Sequence, residues 1–234
     1  MLLYSVRHGD PDYATDSLTE KGILQAEAVG KRLEMVGINR IFSSPMGRAK
    51  QTAEPLCRRL GMEYSIEEWT HEIGQEMFAP GPDGKSKSLG GIPSYCFREK
   101  GGIDLPFEAE LQAPVLCETQ MGTVLPYIEE NGRDFLERLG YKEENGVYRI
   151  LDPNDDRVAL FCHAGFARAW LSRLLHIPAH IMWAGFNYSH TGVTILEFQN
   201  TPSGITAPRM LCYSDLSQIY KEGLGMRYNN RIDI

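Results

Sequence analysis

Three short segments each place a cation or a histidine directly after an apolar run that reads as a strand. They are Arg7-His8-Gly9, Ser43-Ser44-Pro45-Met46-Gly47-Arg48 and Cys162-His163-Ala164-Gly165. In open α/β sheets, ligands bind outside the carboxyl ends of the strands. If these three strands are parallel neighbours, Arg7, His8, Arg48 and His163 converge at one edge. Two arginines and two histidines together make a local positive focus. The planar fork of arginine matches the oxygens of a phosphate or a carboxylate. An anion with several oxygens suits such a pocket, and a phosphoryl group suits it best.

A role for His8 follows. A neutral imidazole is a competent nucleophile near pH 7, because its free pKa is about 6.5. Flanking arginines would hold phosphorus in line and spread the charge that builds on its equatorial oxygens. The leaving alkoxide needs a proton. Glu72, in Trp69-Thr70-His71-Glu72-Ile73-Gly74, follows the third expected strand and is the candidate donor. Burial beside Trp69 would raise the pKa of its carboxyl group and make it a usable acid. Glu76, Glu67 and Glu68 compete for that role.

Taken singly, these residues have structural readings. A histidine after a strand commonly serves as a hydrogen-bonding group, and Arg7 alone would pass for a surface ion pair. The joint placement of three segments at strand ends carries the assignment. His71 reads as structural and His176 and His180 as closing a helix; His190 precedes a late strand and either borders the pocket or, the favoured reading, caps the turn.

The elements that must position these groups follow from periodicity. Residues 1–6 read as a buried strand ending in a loop at Gly9 and Pro11. From Leu18 to Val36, Ile23, Ala26, Leu33 and Val36 recur at helical spacing, with Ser17 or Thr19 as the cap and Gly37 as the stop. Arg40–Ser43 reads as a strand, and Pro45 as the first residue of a helix that runs to Gly61. Met62–Ile66, Arg157–Cys162, Val193–Phe198 and Met210–Tyr213 read as further strands. Helices are expected near Thr119–Leu139 and Ala167–Leu175. This alternation predicts an α/β fold, three-layered, with a mostly parallel central sheet flanked by helices.

The stretch 74–118 breaks the rhythm with many glycines and prolines. It reads as a lid-like insertion in a single 1–234 domain, anchored by aromatics such as Phe78, Tyr95, Phe97 and Phe107. Packing is the reading for at least two of Tyr95, Phe97 and Phe107.

The chain has 234 residues, of which 42% are hydrophobic, enough for a substantial core. Its 24 basic and 31 acidic residues give a net charge of −7. That balance argues against nonspecific nucleic-acid binding. No apolar run approaches the ~18 residues of a membrane helix. The first six residues are too short for a signal peptide and lead directly into charge. The five cysteines, Cys57, Cys96, Cys117, Cys162 and Cys212, form no close pair. A reduced, cytoplasmic protein is the expectation, with no zinc-type ligand spacing.

As a set, the motifs resemble the histidine phosphatase superfamily, the phosphoglycerate-mutase-like proteins. The resemblance rests on Val6-Arg7-His8-Gly9, Leu18-Thr19-Glu20-Lys21-Gly22 and Ser43-Ser44-Pro45 followed by Arg48-Ala49 and Gln51-Thr52-Ala53. It continues in Glu72-Ile73 and Phe161-Cys162-His163-Ala164-Gly165 and spans residues 1–73 and 157–198. It implies that His8 is phosphorylated, that Arg7, Arg48 and His163 hold the phosphoryl group, and that Glu72 is the proton donor. It implies no cofactor and no metal.

The chain departs from the family pattern in places. The Gly9–Leu18 segment lacks the Asn-rich, Gly-Trp-containing stretch of the glycolytic mutases, and Asp10 stands where glutamate is common. The usual glycine-tryptophan-glutamate run is replaced by Gly74-Gln75-Glu76-Met77.

The expected function is therefore hydrolysis of a phosphate monoester, with a small phosphorylated metabolite as substrate and no nucleic-acid or membrane partner. The alternatives are a mutase-type phosphotransferase and a non-catalytic phospho-ligand-binding protein. A metallohydrolase using His8, Asp10, His71 and His163 lacks a compact ligand spacing.

Overall fold

The computed structural model of the chain describes residues 1–226; the end of the expected 1–234 domain lies outside the described residues. The chain opens with strand β1 (Leu2–Arg7), the short pair β2 (Pro11–Asp12) and β3 (Ser17–Leu18), and helix α1 (Glu20–Met35). Strand β4 (Arg40–Ser43), helix α2 (Gly47–Leu60) and strand β5 (Ser65–Ile66) follow. Next come the hairpin β6 (Phe78–Pro80) and β7 (Ser86–Ser88), helix α3 (Met121–Arg138), and the hairpin β8 (Tyr141–Glu144) and β9 (Val147–Ile150). The rest is β10 (Arg157–Cys162), α4 (Ala164–Leu175), α5 (Ala179–Gly185), β11 (Val193–Glu197), β12 (Ile205–Thr206), β13 (Arg209–Asp215) and α6 (Ser217–Lys221).

Six strands make a central sheet in the order β13-β11-β1-β10-β4-β5. The pairs β1/β10, β10/β4 and β4/β5 are parallel, and β11 and β13 add an antiparallel edge. This is the mostly parallel sheet flanked by helices that the alternation of elements predicts. The three motif-bearing strands are indeed neighbours, in register: Arg7 stands beside Cys162, and Phe161 beside Ser43. The ladder continues past the strand ends, where the His8 N–H donates to Cys162 O and the Ser44 N–H to Phe161 O, each at 2.9 Å.

The chain divides into two compact units. The first holds residues 1–71, 136–164 and 188 onward, and contains the whole central sheet. Its core joins Tyr4 and Val6 of β1, Ile41 of β4, and Ala159 and Phe161 of β10 to Val29 and Leu33 of α1 and Ala53 and Leu56 of α2. Burying each of the valine, leucine, isoleucine and phenylalanine side chains among them contributes about 1.5–3 kcal/mol. Helix α1 packs closely on α2: a Cβ at Gly30 would stand 3.0 Å from Pro55.

Two details differ from the sequence reading. Ile23 is half exposed, because α1 turns Gly22, Gln25, Ala26 and Val29 inward instead. Helix α2 begins at Gly47 with Met46 as its cap residue, so Pro45 lies in the loop before it. Its end matches expectation: Gly61 takes the left-handed conformation (φ +63°) that a C-terminal cap favours.

The second unit holds residues 72–135 and 165–187, and so includes the entire 74–118 stretch. That stretch is a series of one-turn 3-10 helices around the small β6/β7 hairpin. Two of its three expected packing aromatics do pack. Phe97 is fully buried, and Phe107 stacks on His176 at 3.8 Å with the Arg173 guanidinium 4.1 Å from its ring centre. Tyr95 is exposed. Arg173 also donates to both carboxylate oxygens of the buried Glu110, which accepts the Ala179 N–H as well. His176 follows α4 with φ +52° and closes it as expected; His180 lies fully buried inside α5 and closes nothing.

Candidate active site

Arg7 is the last residue of β1, and its guanidinium donates to the carbonyl of Tyr188. His8 follows it and is almost completely buried. Its Nδ1 lies 2.7 Å from the carbonyl of Gly9. A carbonyl only accepts, so Nδ1 carries the proton and the lone pair sits on Nε2. Burial above all, then the neighbouring His163 and Arg7, holds the His8 pKa well below the ordinary histidine value. The ring is thus a neutral base with a fixed tautomer.

The loop after His8 is clamped by the start of α1, and this explains the Leu18–Gly22 motif. Thr19 caps α1 by accepting from the Gly22 N–H at 3.1 Å, and its hydroxyl donates to the Asp10 carboxylate at 2.8 Å. The Asp10 N–H donates to Gln25 at 2.8 Å. The backbones approach so closely that a Cβ at Gly9 would stand 2.7 Å from Gly22 O. The Gly9 N–H donates to Thr52, whose hydroxyl donates to Arg48 O. The Gln51-Thr52 motif thereby ties α2 to the loop after His8.

His163 completes this group. Its ring lies 5.1 Å from that of His8, and its Nε2 is 2.7 Å from the Ser44 hydroxyl. Burial first, then Arg48 and Arg7, keeps its pKa well below normal. Arg48 is buried at the start of α2 and pairs with Asp16, while its Nε has no hydrogen-bond partner. Asp16 also accepts the Gly47 N–H at 2.6 Å. A guanidinium held on one side by Asp16, with an unmet donor on another, is suited to an anionic oxygen. The first unit therefore brings together Arg7, His8, Arg48 and His163.

The fifth expected residue belongs to the second unit. Glu72 is half-buried, and its carboxylate sits at the N-terminus of α4. One oxygen accepts the Phe166 N–H at 2.8 Å and the other the Gly165 N–H at 3.1 Å. A Cβ at Gly165 would stand 2.7 Å from that carboxylate, so the glycine of the His163-Ala164-Gly165 motif makes room for it. Trp69 donates its indole N–H to Glu67. Glu67 accepts two bonds of 2.9 and 2.7 Å from Arg138, while Glu68 is exposed. Glu76 is half-buried, and its carbonyl accepts from Gln120.

The turn Tyr188–Gly192 supports β1 and the His8 loop through main-chain atoms. Besides Tyr188 O on Arg7, the Thr191 N–H donates to the carbonyls of Arg7 and His8, and Gly192 O accepts the Arg7 N–H. These contacts use main-chain atoms, which carry no side-chain signature. His190, read as capping the turn or else bordering the pocket, has its ring 5.5 Å from that of His8.

Among the described residues no group of three or more His, Cys, Asp or Glu is arranged to hold a metal ion, and no helix is long and apolar enough to cross a membrane.

A family model described as the histidine phosphatase superfamily, branch 1, matches residues 3–77. Residues 3–77 are thus similar to that superfamily. The histidine phosphatase match covers β1 from residue 3, the loop after His8, α1, β4, α2 and Glu72. Relatives annotated by name as probable phosphoglycerate mutase GpmB, from Salmonella arizonae and Salmonella newport, are 36% identical over 82 residues. The match takes in 31% of this chain and spans only 38% of those relatives' length.

Solved structures extend the likeness in fold to nearly the whole chain. Phosphoserine phosphatase from Entamoeba histolytica, in complex with 3-phosphoglyceric acid, has a TM-score of 0.61 at 20% identity, covering 93% of this chain and 98% of that one. A mycobacterial glucosyl-3-phosphoglycerate phosphatase has a TM-score of 0.58 at 21% identity, covering 91% and 98%.

Proposed function

We propose that the protein is a metal-independent phosphomonoesterase that works through a phosphohistidine on His8. The observation that carries this reading is the His8 tautomer. Nδ1–H is spent on Gly9 O, leaving Nε2 as a neutral nucleophile beside Arg7, Arg48 and His163.

In the first step the Nε2 lone pair forms the bond to phosphorus as the bond to the leaving oxygen breaks. Arg7, Arg48 and His163 hold the phosphoryl oxygens and stabilise the charge that builds on them. Glu72, carrying a proton, gives it to the leaving alkoxide. As a carboxylate it then takes a proton from water, whose oxygen attacks phosphorus and frees His8. The main-chain N–H groups of Gly165 and Phe166 fix its position through both halves of the cycle.

The substrate class in this reading is a small phosphorylated metabolite, in keeping with the names of the two phosphatases that share the fold. The short Gly9–Leu18 loop, without the mutase-type stretch, favours water as acceptor over a second alcohol. A cytoplasmic setting belongs to the same reading and rests on the five cysteines, all free among the described residues.

The test is phosphate release from a panel of phosphate monoesters with EDTA present, for wild type beside His8→Ala. Release by wild type alone supports the reading. Release that needs added metal contradicts it. Transfer to an added alcohol with little free phosphate would favour the mutase-type activity for which the Salmonella relatives are named.

A further inference from the structure

His190 has no part in the mechanism above, yet it stands against the nucleophile. The two rings are 5.5 Å apart and inclined at 39°. The Nδ1 of His190 is 3.5 Å from Asp10 Oδ1. Its Nε2 is buried and has no hydrogen-bond partner. Asp10 is fixed in turn by the Thr19 hydroxyl and by the bond from its own N–H to Gln25. His8, His190 and Asp10 therefore form a chain of three held groups that ends in a carboxylate.

The chemistry gives that chain a purpose. When Nε2 of His8 bonds to phosphorus, Nδ1 keeps its proton for the Gly9 carbonyl. The ring then carries two substituted nitrogens and gains one positive charge, while the bonding pair of the broken P–O bond leaves with the alkoxide. Arg7 and Arg48 both oppose a positive charge on His8. With its Nδ1–H turned to the Asp10 carboxylate, His190 would supply the opposite influence: a buried Nε2 lone pair that costs free energy while unmet and becomes favourable beside a cation. Its own surroundings keep it neutral. Burial, then Arg7, lowers its pKa to about 3 against the pull of Asp10, with a smaller contribution from Lys21.

Resting on the phospho-His8 reading, we propose that His190, oriented by Asp10, is a positioning residue. It holds the His8 ring in line and offsets the charge the ring gains on phosphorylation.

Rapid-quench measurement of phosphoenzyme formation from p-nitrophenyl phosphate tests this in the full-length protein. His190→Phe keeps a ring of similar size and removes the lone pair. It should slow phosphoenzyme formation by about 10²-fold, the scale of a misplaced reacting group, with KM close to wild type. Asp10→Asn should move the rate in the same direction by less. A His190→Phe rate equal to wild type would overturn the proposal, because packing alone would then suffice. If that variant folds poorly, His190→Asn and His190→Ala decide. The asparagine oxygen should restore part of the rate lost in the alanine variant, and equal rates would overturn the proposal. A wild type that forms no phosphoenzyme would overturn the phospho-His8 reading itself, and this one with it.

Discussion

Around His8, in the first unit, main-chain hydrogen bonds and glycine approaches stand beside the side-chain pairs Arg48–Asp16, His163–Ser44 and Thr19–Asp10. Gly9 O takes the ring proton, Gly9 and Gly22 bring two backbones together, and Thr52 and Thr19 tie the loop to α2 and α1. In the second unit Glu72 is also held by main-chain N–H groups, but the 74–118 segment beside it in sequence is organised by side chains. There Phe97 is buried, Phe107 is stacked between His176 and Arg173, and Glu110 is paired with Arg173. The main-chain contacts around His8 do not depend on the identity of the side chains that supply them, whereas the 74–118 segment depends on particular ones such as Phe97 and Glu110.

That contrast can be tested at several points. Phe97→Ala should cost the most stability, about 3–5 kcal/mol, the usual range for a buried phenylalanine. Phosphate affinity at the first-unit cluster should survive in the fraction that remains folded. Urea unfolding beside phosphate titration checks both, and a loss of affinity without a loss of stability would break the contrast.

Arg48→Ala should lower kcat/KM by about 10²–10³-fold, the effect of removing one transition-state donor. Steady-state kinetics reads this directly. A change of less than about threefold would mean that Arg48 serves Asp16 and the loop rather than the phosphoryl group.

Glu72→Gln should slow alkyl phosphates by about 10²-fold while sparing p-nitrophenyl phosphate, whose leaving group needs little protonation. Equal slowing of both would move the proton donor to Glu76.

The smallest effect concerns pH. His8, His163 and His190 all have pKa values lowered in the folded state, chiefly by burial. Below about pH 6.5 the unfolded chain protonates these rings and the folded protein does not. The stability they contribute is therefore complete above that pH and is lost as pH falls, for His190 down to about 3. Thermal melts across this range should show a shallower acid loss in His190→Asn than in wild type. Identical slopes would remove His190 from the set.

The same division marks what could be read from the sequence. Arg7, His8, Arg48 and His163 were legible because each follows an apolar strand by a residue or a few, and the order β1-β10-β4 brings those ends together. The Leu18–Gly22 motif was legible as a helix start, but its hold on Asp10 was not. The turn before β11 was legible, but its hold on Arg7 and His8 was not, since it acts through carbonyl and N–H groups that every residue possesses. Ile23 misled because α1 buries glycine, alanine and glutamine where a larger apolar residue was expected. The β8/β9 hairpin and helix α5 are too short to show a clear period, and the 3-10 turns of 74–118 show none.

The measurement closest to the central claim is direct detection of the intermediate. Wild type would be quenched within a turnover of a phosphate monoester, and the phosphorylated residue located by peptide mapping under alkaline conditions. The account predicts an acid-labile phosphoryl group on His8 that forms and decays at rates consistent with kcat and is absent from His8→Ala. A wild type that turns over without phosphorylating His8, or a His8→Ala variant that retains substantial activity, would contradict it.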